Sequence, residues 1–313
     1  MTETTTDATP TTPQGRLLEI HRFPVKSMQG EQLDAAAIAP TGVLGDRAWA
    51  VVDDADGTVA SAKRPRRWGR LLDARATFAS PPTPEQPAPP VRIELPDGTE
   101  VRSDDADVHD VLSRYLGRPV HLTHERRPEQ AFHEVWPDDV GAIAPDEFMA
   151  QTAAGAPDEG GADRMSAIGV AALAPGGGFV DLTPLHVLTT ATLAAIERQA
   201  PGSVVDVRRY RPNLLVEVVG PDGRVPADFV ENEWAGRTVD VGDVAVQGVI
   251  PTMRCVMTTL AQGDLPEDRQ PLRALADVNR LEIPGLGRWA CAGLYASVGR
   301  EGHVRVGDPV AVR

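Results

Sequence analysis

Apolar and polar positions alternate in short runs along this chain, and the runs are parted by Gly, Pro and Asp clusters rather than joined into long helical repeats. "RLLEIHRF", "QLDAAAIA" and "RAWAVVD" read as strands, with "DADG" as a turn before "TVASA". From Arg16 to Phe78 this rhythm predicts a small β-barrel or meander. After the Pro-rich spacer "SPPTPEQPAPP", the segment "VRIELPDGTEVR" predicts a hairpin turning at Asp97–Gly98. One helical period stands out in this half: Val108, Val111, Leu112 and Leu116 share a face, behind an acidic start and before Gly117.

From Pro137 to Asp163 every charged residue is acidic and Gly, Ala and Pro dominate, which predicts a long loop at a domain boundary. "VDLTPLHVLTTATLAAIERQA" predicts a strand and then a helix entered at Thr189 or Thr190. "RPNLLVEVV" has the continuous apolar run of a buried strand. "TVDVGDVAVQGV" and "HVRVGDPVAVR" each read as strand, Gly-Asp turn, strand, and "QPLRALADVNR" between them carries Pro271 where a first helical turn tolerates it. The Thr/Pro-rich head has no apolar pattern, so residues 1–15 are expected to be a disordered tail.

At 313 residues with 42% hydrophobic residues, the chain can build one large core or two ordinary ones. No run reaches the roughly 18 apolar residues of a membrane helix. A net charge of −14 excludes a general phosphate-backbone binder, so no nucleic acid is expected, and an anionic ligand would need locally concentrated cations. Two cysteines, Cys255 and Cys291, and no charged-then-apolar leader point to a cytoplasmic protein with reduced thiols. Only two of the 31 basic residues are lysines, Lys26 and Lys63, a bias in keeping with a GC-rich genome.

Several candidate chemistries fail on spacing. His121, His124 and His133 invite zinc, but His-x-x-His suits neither two ligands at i, i+4 on one helix face nor a known hydrolytic metal motif, and a solvated loop explains it better. "PGGGF" at 175–179 lacks the Gly-Lys-Ser/Thr of a phosphate loop, and no serine sits in a Gly-x-Ser-x-Gly elbow. Cys291 in "WACAGLYASV" reads as core. Cys255 in "GVIPTMRCVMTTL" leaves two readings open: a small buried hydrophobe, or a thiol whose pKa Arg254 lowers, giving the thiolate that attacks electrophiles or ligates soft metals. Lys26-Ser27, Asp46-Arg47 and Arg211 with Asn213 sit at strand ends; singly each is an ordinary polar turn.

The order "FPVKS", "GDRAW", "VDLTPLHVL", "YRPNLLV", "MRCVMTT" and "VRVGDPV" resembles the MOSC family, named for the C-terminal domain of molybdenum cofactor sulfurase. Within it the chain is similar to the amidoxime-reducing proteins and their bacterial counterparts. The resemblance runs from about Arg16 to Arg313 and implies an α+β, β-dominated fold. Residues 16–136 would form an N-terminal β-barrel-like domain, 137–163 an acidic boundary, and 164–313 a MOSC-type β-barrel with short helices.

The resemblance further implies a molybdenum cofactor (Mo-molybdopterin), with Cys255 as the protein's ligand to the metal and the catalytic residue. Lys26, Ser27, Arg47, Thr183, Arg211, Asn213 and Arg254 would bind the pterin and its phosphate. Charge-assisted bonds suit a phosphate, and an amide such as Asn213 suits the pterin edge. The implied enzyme is a molybdenum-dependent oxidoreductase that reduces small N-hydroxylated compounds by oxygen-atom transfer. Because no plant-type ferredoxin cysteines are present, a separate ferredoxin-, flavodoxin- or reductase-type donor would supply the electrons, and the protein is expected to act as a monomer. The alternative from another class is a cofactor or sulfur carrier without turnover. Thr252 stands where some relatives have a second cysteine that is not the metal ligand.

Overall fold

The strands that the alternation predicts close on one another. The computed structural model describes residues 14–136, 143–150, 152–154, 164–170, 174, 178–219 and 228–313. Within them Gly15–Arg22 (β1), Leu185–Thr189 (β2), Leu214–Val218 (β3), Thr238–Val241 (β4), Val244–Met253 (β5), Gly287–Arg300 (β6) and Pro309–Val312 (β7) form a barrel. β2 and β3 pair in parallel; β3–β1, β1–β7, β7–β4, β4–β5, β5–β6 and β6–β2 are antiparallel, so the last pairing returns to the first strand. Closure leaves no bare sheet edge in the circuit.

The period of two selects the barrel interior: Val239 and Val241, Val244 and Val246, Leu294 and Ala296, and Val310 and Val312 all face one core. β1 reaches the same core through Leu17 and Ile20, three apart rather than two, because its pairing to β3 slips by one residue between Leu17 and Glu19. That bulge re-phases the strand. β1 precedes the other six strands by more than 160 residues of chain (Arg22 to Leu185), so the barrel joins the start of the N-terminal segment to the C-terminal half.

The α-helices among the described residues are short, none longer than the ten residues of Thr190–Gln199. Val108–Leu116 (α1) ends on Gly117 at φ 72°, as its closing glycine predicts. Thr190–Gln199 (α3) is capped by Thr189, whose hydroxyl accepts from the Thr192 N–H, and Gln270–Val278 (α4) carries Pro271 in its first turn. α3 and α4 cover the outside of the barrel with Ala195, Ile196, Leu272 and Leu275, against Leu188, Leu215 and Cys291. Cys291 is sealed there, its thiol donating to the Trp289 carbonyl at 3.3 Å.

A second core gathers Val25, Met28, Trp49, Val51, Trp68, Leu71 and Leu112 from the N-terminal part. The predicted hairpin at Asp97–Gly98 is present, with Val91–Glu94 paired to Glu100–Arg102. The acidic stretch departs from a plain loop. Its described residues include Asp146–Ala150 (α2) and a short strand, Ala153–Ala154, that extends the pair formed by Ala131–Trp136 and Arg164–Gly169. Phe148 of α2 supplies the reason, packing its ring on Trp136 and Trp289 at centroid distances of 5.1 and 4.9 Å. Residues 1–13, most of the acidic stretch (137–142, 151 and 155–163) and Pro175, Gly176 and Gly177 of the glycine run lie outside the described residues. Among the described residues no helix is long and apolar enough to cross a membrane.

Candidate functional site

Left-handed backbone marks the site first. Among the described residues four non-glycines have positive φ: Ser27 (66°), Arg47 (49°), Arg211 (52°) and Phe229 (56°). Such a conformation costs on the order of 1–3 kcal/mol in an L residue and persists where the surroundings impose it. Ser27, Arg47 and Arg211 belong to three motifs far apart in sequence, and all three line one cavity. Lys26, Thr183, Asn213, Arg254 and Cys255 line it as well, so all eight residues expected to form the site meet there. Loops after β1 and β5 and before β2 and β3 supply much of its wall, with Arg47, Ser61 and Lys63 from elsewhere in the N-terminal part and His186 and Tyr295 from β2 and β6. The three histidines stay apart from it: His121 lies 2.5 Å from Asp54, His124 packs edge-on to Trp49, and His133 meets Arg64 at 3.2 Å.

The two lysines of the chain converge in this cavity. Lys26 Nζ and Lys63 Nζ stand 4.5 and 5.0 Å from the centroid of the Phe132 ring. Asp181 pairs with both, and Lys63 also meets Glu134 at 3.2 Å. Burial works against the Asp181 carboxylate, yet the two lysines outweigh it and hold its pKa well below the usual carboxylate range. Burial lowers Lys26 despite Asp181, whereas at Lys63 the attraction of Asp181 and Glu134 overcomes burial and keeps the ammonium charged. Across the cavity, Arg211 and Arg47 stack on Phe23, with guanidinium carbons 4.0 and 4.8 Å from its ring centroid. Arg47 pairs with buried Asp46. Burial and the neighbouring Arg47 charge pull Arg211 down to about 9.

Cys255 corrects one expectation. Its thiol is pushed up to about 12 by burial, against the pull of Lys63. The adjacent Arg254 turns the other way, donating to the Ala292 and Tyr210 carbonyls at 3.0 and 3.1 Å and to neutral His186 Nε2 at 3.1 Å. Neighbours on extended chain project to opposite sides, and Cys255 is extended at φ −132°, ψ −177°. The cation that faces the thiol is therefore Lys63, which adjacency in sequence does not reveal.

The hydrogen-bond inventory separates residues that hold the walls from those left for a ligand. Asn213 Oδ1 accepts from the His186 N–H and Nδ2 donates to the His21 carbonyl, so its amide stitches β1, β2 and β3 with one N–H to spare. Thr183 donates to the Leu185 carbonyl. By contrast Arg211 Nη2, Thr252 Oγ1 and Tyr210 OH are buried without any hydrogen-bond partner, and all three residues line the cavity. Each such orphan costs roughly 1–3 kcal/mol, which a ligand carrying acceptor atoms would recover.

Lys63, Asp181, His186 and Tyr295 also line the cavity, although sequence reasoning assigns them no role. The signal for Lys63 was its rarity, one of two lysines in a chain that otherwise uses arginine. His186 is held by close backbone approach: Gly293 has φ 89°, and a Cβ there would lie 2.3 Å from His186 Nε2 and 2.8 Å from the Val187 carbonyl. Gly293→Ala is accordingly expected to destabilise the fold by about 2–3 kcal/mol in chemical denaturation. A loss under about 0.5 kcal/mol would mean that β6 yields there.

A family-model match agrees with the β-dominated architecture. The family model described as MOSC domain matches residues 177–311, and the one described as MOSC N-terminal beta barrel domain matches residues 14–81. The chain is similar to Mitochondrial amidoxime reducing component 2 of Homo sapiens, 31% identical over 138 residues, which is 42% of this chain and 38% of that protein. The Rattus norvegicus protein of the same name is 27% identical over 136 residues, covering 42% and 37%. The chain thus spans under two fifths of the length of these relatives. Among solved structures, the YUAD protein from Bacillus subtilis is 10% identical with a TM-score of 0.41, covering 95% of this chain and 94% of that one. YiiM from Geobacillus stearothermophilus is 13% identical with a TM-score of 0.29, covering 42% and 54%. With its two matched domains, from residue 14 to 81 and from 177 to 311, the chain belongs to the MOSC family.

Proposed function

We propose that the cavity holds a molybdenum cofactor of the Mo-molybdopterin type and that the protein uses it to reduce small N-hydroxylated compounds. The observation that carries this reading is the meeting of the buried Arg211 guanidinium, which has one unpartnered nitrogen, with the Cys255 thiol in one cavity formed by left-handed loops. The donor set fits such a group. Arg211 and Arg47 would hold a phosphate, and Ser27, whose oxygen already accepts from the Ala62 N–H at 3.0 Å, keeps its own hydrogen to donate. Thr252, Tyr210 and the spare N–H of Asn213 would satisfy a pterin edge, and the half-buried Cys255 would hold the metal.

When bound, the cofactor supplies two-electron oxygen-atom transfer, while the protein supplies binding, orientation and electrostatics. Converting an N–OH group to N–H consumes two electrons and two protons and releases water. Lys63, kept charged by Asp181 and Glu134, and the neutral Tyr295 phenol, pushed up to about 12 by burial, stand on the wall beside Cys255, where they can orient an N–O group. Electrons would arrive from a ferredoxin-, flavodoxin- or reductase-type protein.

Protein made in a host that synthesises the cofactor is expected to contain near-stoichiometric molybdenum and pterin, and to convert benzamidoxime to benzamidine with reduced viologen as donor. Molybdenum without turnover on several N-hydroxylated compounds would identify a carrier instead. Protein free of both molybdenum and pterin would overturn the reading.

A further inference from the structure

A second chamber adjoins the first, and Cys255, Arg254, Lys63, Asp181 and Tyr295 are among the residues of the wall they share. Away from that wall its lining is almost entirely apolar. Trp136, Phe148 and Trp289 form an aromatic triad with centroids 4.9 to 5.5 Å apart and ring planes 60° to 82° from parallel. Phe132, Ile168 and Leu286 add to this lining, and the one carboxylate that belongs to this chamber alone, Glu134, is held by Lys63 at 3.2 Å.

We propose that this chamber is the substrate subsite and that it selects N-hydroxylated compounds carrying a flat aryl or heteroaryl group. The ring would sit against Trp136, Phe148 and Trp289, with the N–O end directed at the wall that holds Cys255 and Lys63. The proposal deepens the reading of the cavity as a redox site and rests on it for the identity of the N–O group. Three observations support it. The chamber touches the cofactor cavity only through Cys255 and its neighbours, where a substrate must reach. Its far wall offers aromatic edges and faces but few hydrogen-bonding groups, which suits an aromatic ring and leaves a small polar substrate with nothing to hold it. Phe132, Glu134, Trp136, Phe148 and Ile168 come from the stretch between the two matched domains, with Leu286 and Trp289 added from the MOSC domain, so most of the far wall is built outside the matched segments.

Burying a phenyl-sized group is worth about 10- to 100-fold in affinity. In cofactor-free protein, calorimetry is expected to show benzamidoxime binding at least about tenfold tighter than acetamidoxime, with a change in tryptophan emission that disappears in Trp136→Phe/Trp289→Phe protein. Phe148→Ala should bring the two affinities to within about threefold. Should that variant lose α2, Ile168→Trp tests the same point by filling the chamber and excluding the aryl compound selectively. In molybdenum-loaded enzyme the aryl-to-alkyl ratio of kcat/KM should follow the same pattern. Equal affinity for the two amidoximes in wild-type protein, or a preference untouched by both variants, overturns the subsite. Absence of molybdenum with the aryl preference intact would instead overturn only the redox reading.

Discussion

Cys255→Ser protein from a cofactor-competent host is expected to retain less than about a tenth of the wild-type molybdenum while keeping its fold, since even an outer residue of a metal site is commonly worth 10- to 100-fold in affinity. The structural work at this position is done by the backbone. The Cys255 carbonyl accepts from the Thr258 hydroxyl at 3.1 Å and so closes the turn after β5, and serine keeps that carbonyl. What serine removes is the soft donor: its hydroxyl has a far higher pKa and does not replace a thiolate toward molybdenum. Burial already pushes the Cys255 thiol up to about 12, so it stays protonated until a metal displaces the proton. Cys291→Ser is the matched control. It places a hydroxyl in the sealed core behind α4 and should cost about 1–3 kcal/mol of stability with no loss of metal. Elemental analysis and denaturation on the same preparations separate the two, and equal molybdenum in wild-type and Cys255→Ser protein would remove Cys255 from the metal's shell.

What could be read in the sequence follows from how local each signal is. The helix entered at Thr189, the turn at Asp97–Gly98 and the closing Gly117 depend on neighbours within a few residues, and all three stand where their chemistry puts them. The membership of β1 in the barrel does not depend on neighbours. Alternation identifies Gly15–Arg22 as a strand but carries nothing about partners near Leu214 and Val310, and the slip after Leu17 breaks the period that would show its inner face. Helix α2 stayed hidden for a related reason: in a Gly, Ala and Pro-rich acidic stretch, its place is set by Phe148 meeting Trp136 and Trp289. At the site, the motif resemblance led to eight residues that do share a cavity, whereas Lys63, which lies outside the quoted motifs, and Asp181, inside "VDLTPLHVL" but with no role assigned there, control its charge. The thiol's partner was misjudged because Arg254 is next to Cys255 in sequence but faces His186 in space.

Arg211→Met should raise the stability of the cofactor-free protein and at the same time lower its cofactor occupancy by at least roughly tenfold, because a charge-assisted bond is worth about 1.5–3 kcal/mol. The two effects have one cause. Arg211 is buried, has one guanidinium nitrogen without a partner, and lies close to the like charge of Arg47. Without an anion that arrangement is unfavourable, and replacing a buried, poorly compensated charge by an apolar side chain of similar length commonly stabilises by about 1–4 kcal/mol. Loss of the stacking on Phe23 offsets part of this, about 0.5–1 kcal/mol. The sign with pH follows from the direction of the shift. Burial pulls the folded-state value down from 12.5 to about 9, so at neutral pH both states hold the proton and the penalty is fully present. It would ease only between those two values, where the unfolded chain keeps a proton that the folded one has released. A thermal melt at neutral pH should therefore show the variant above the wild type when both lack cofactor, and below it when the wild type is loaded, because ligand bound to the folded state adds stability. A cofactor-free variant less stable than the wild type would mean that the guanidinium holds the fold together, and that the Arg211 pocket is not kept for a phosphate.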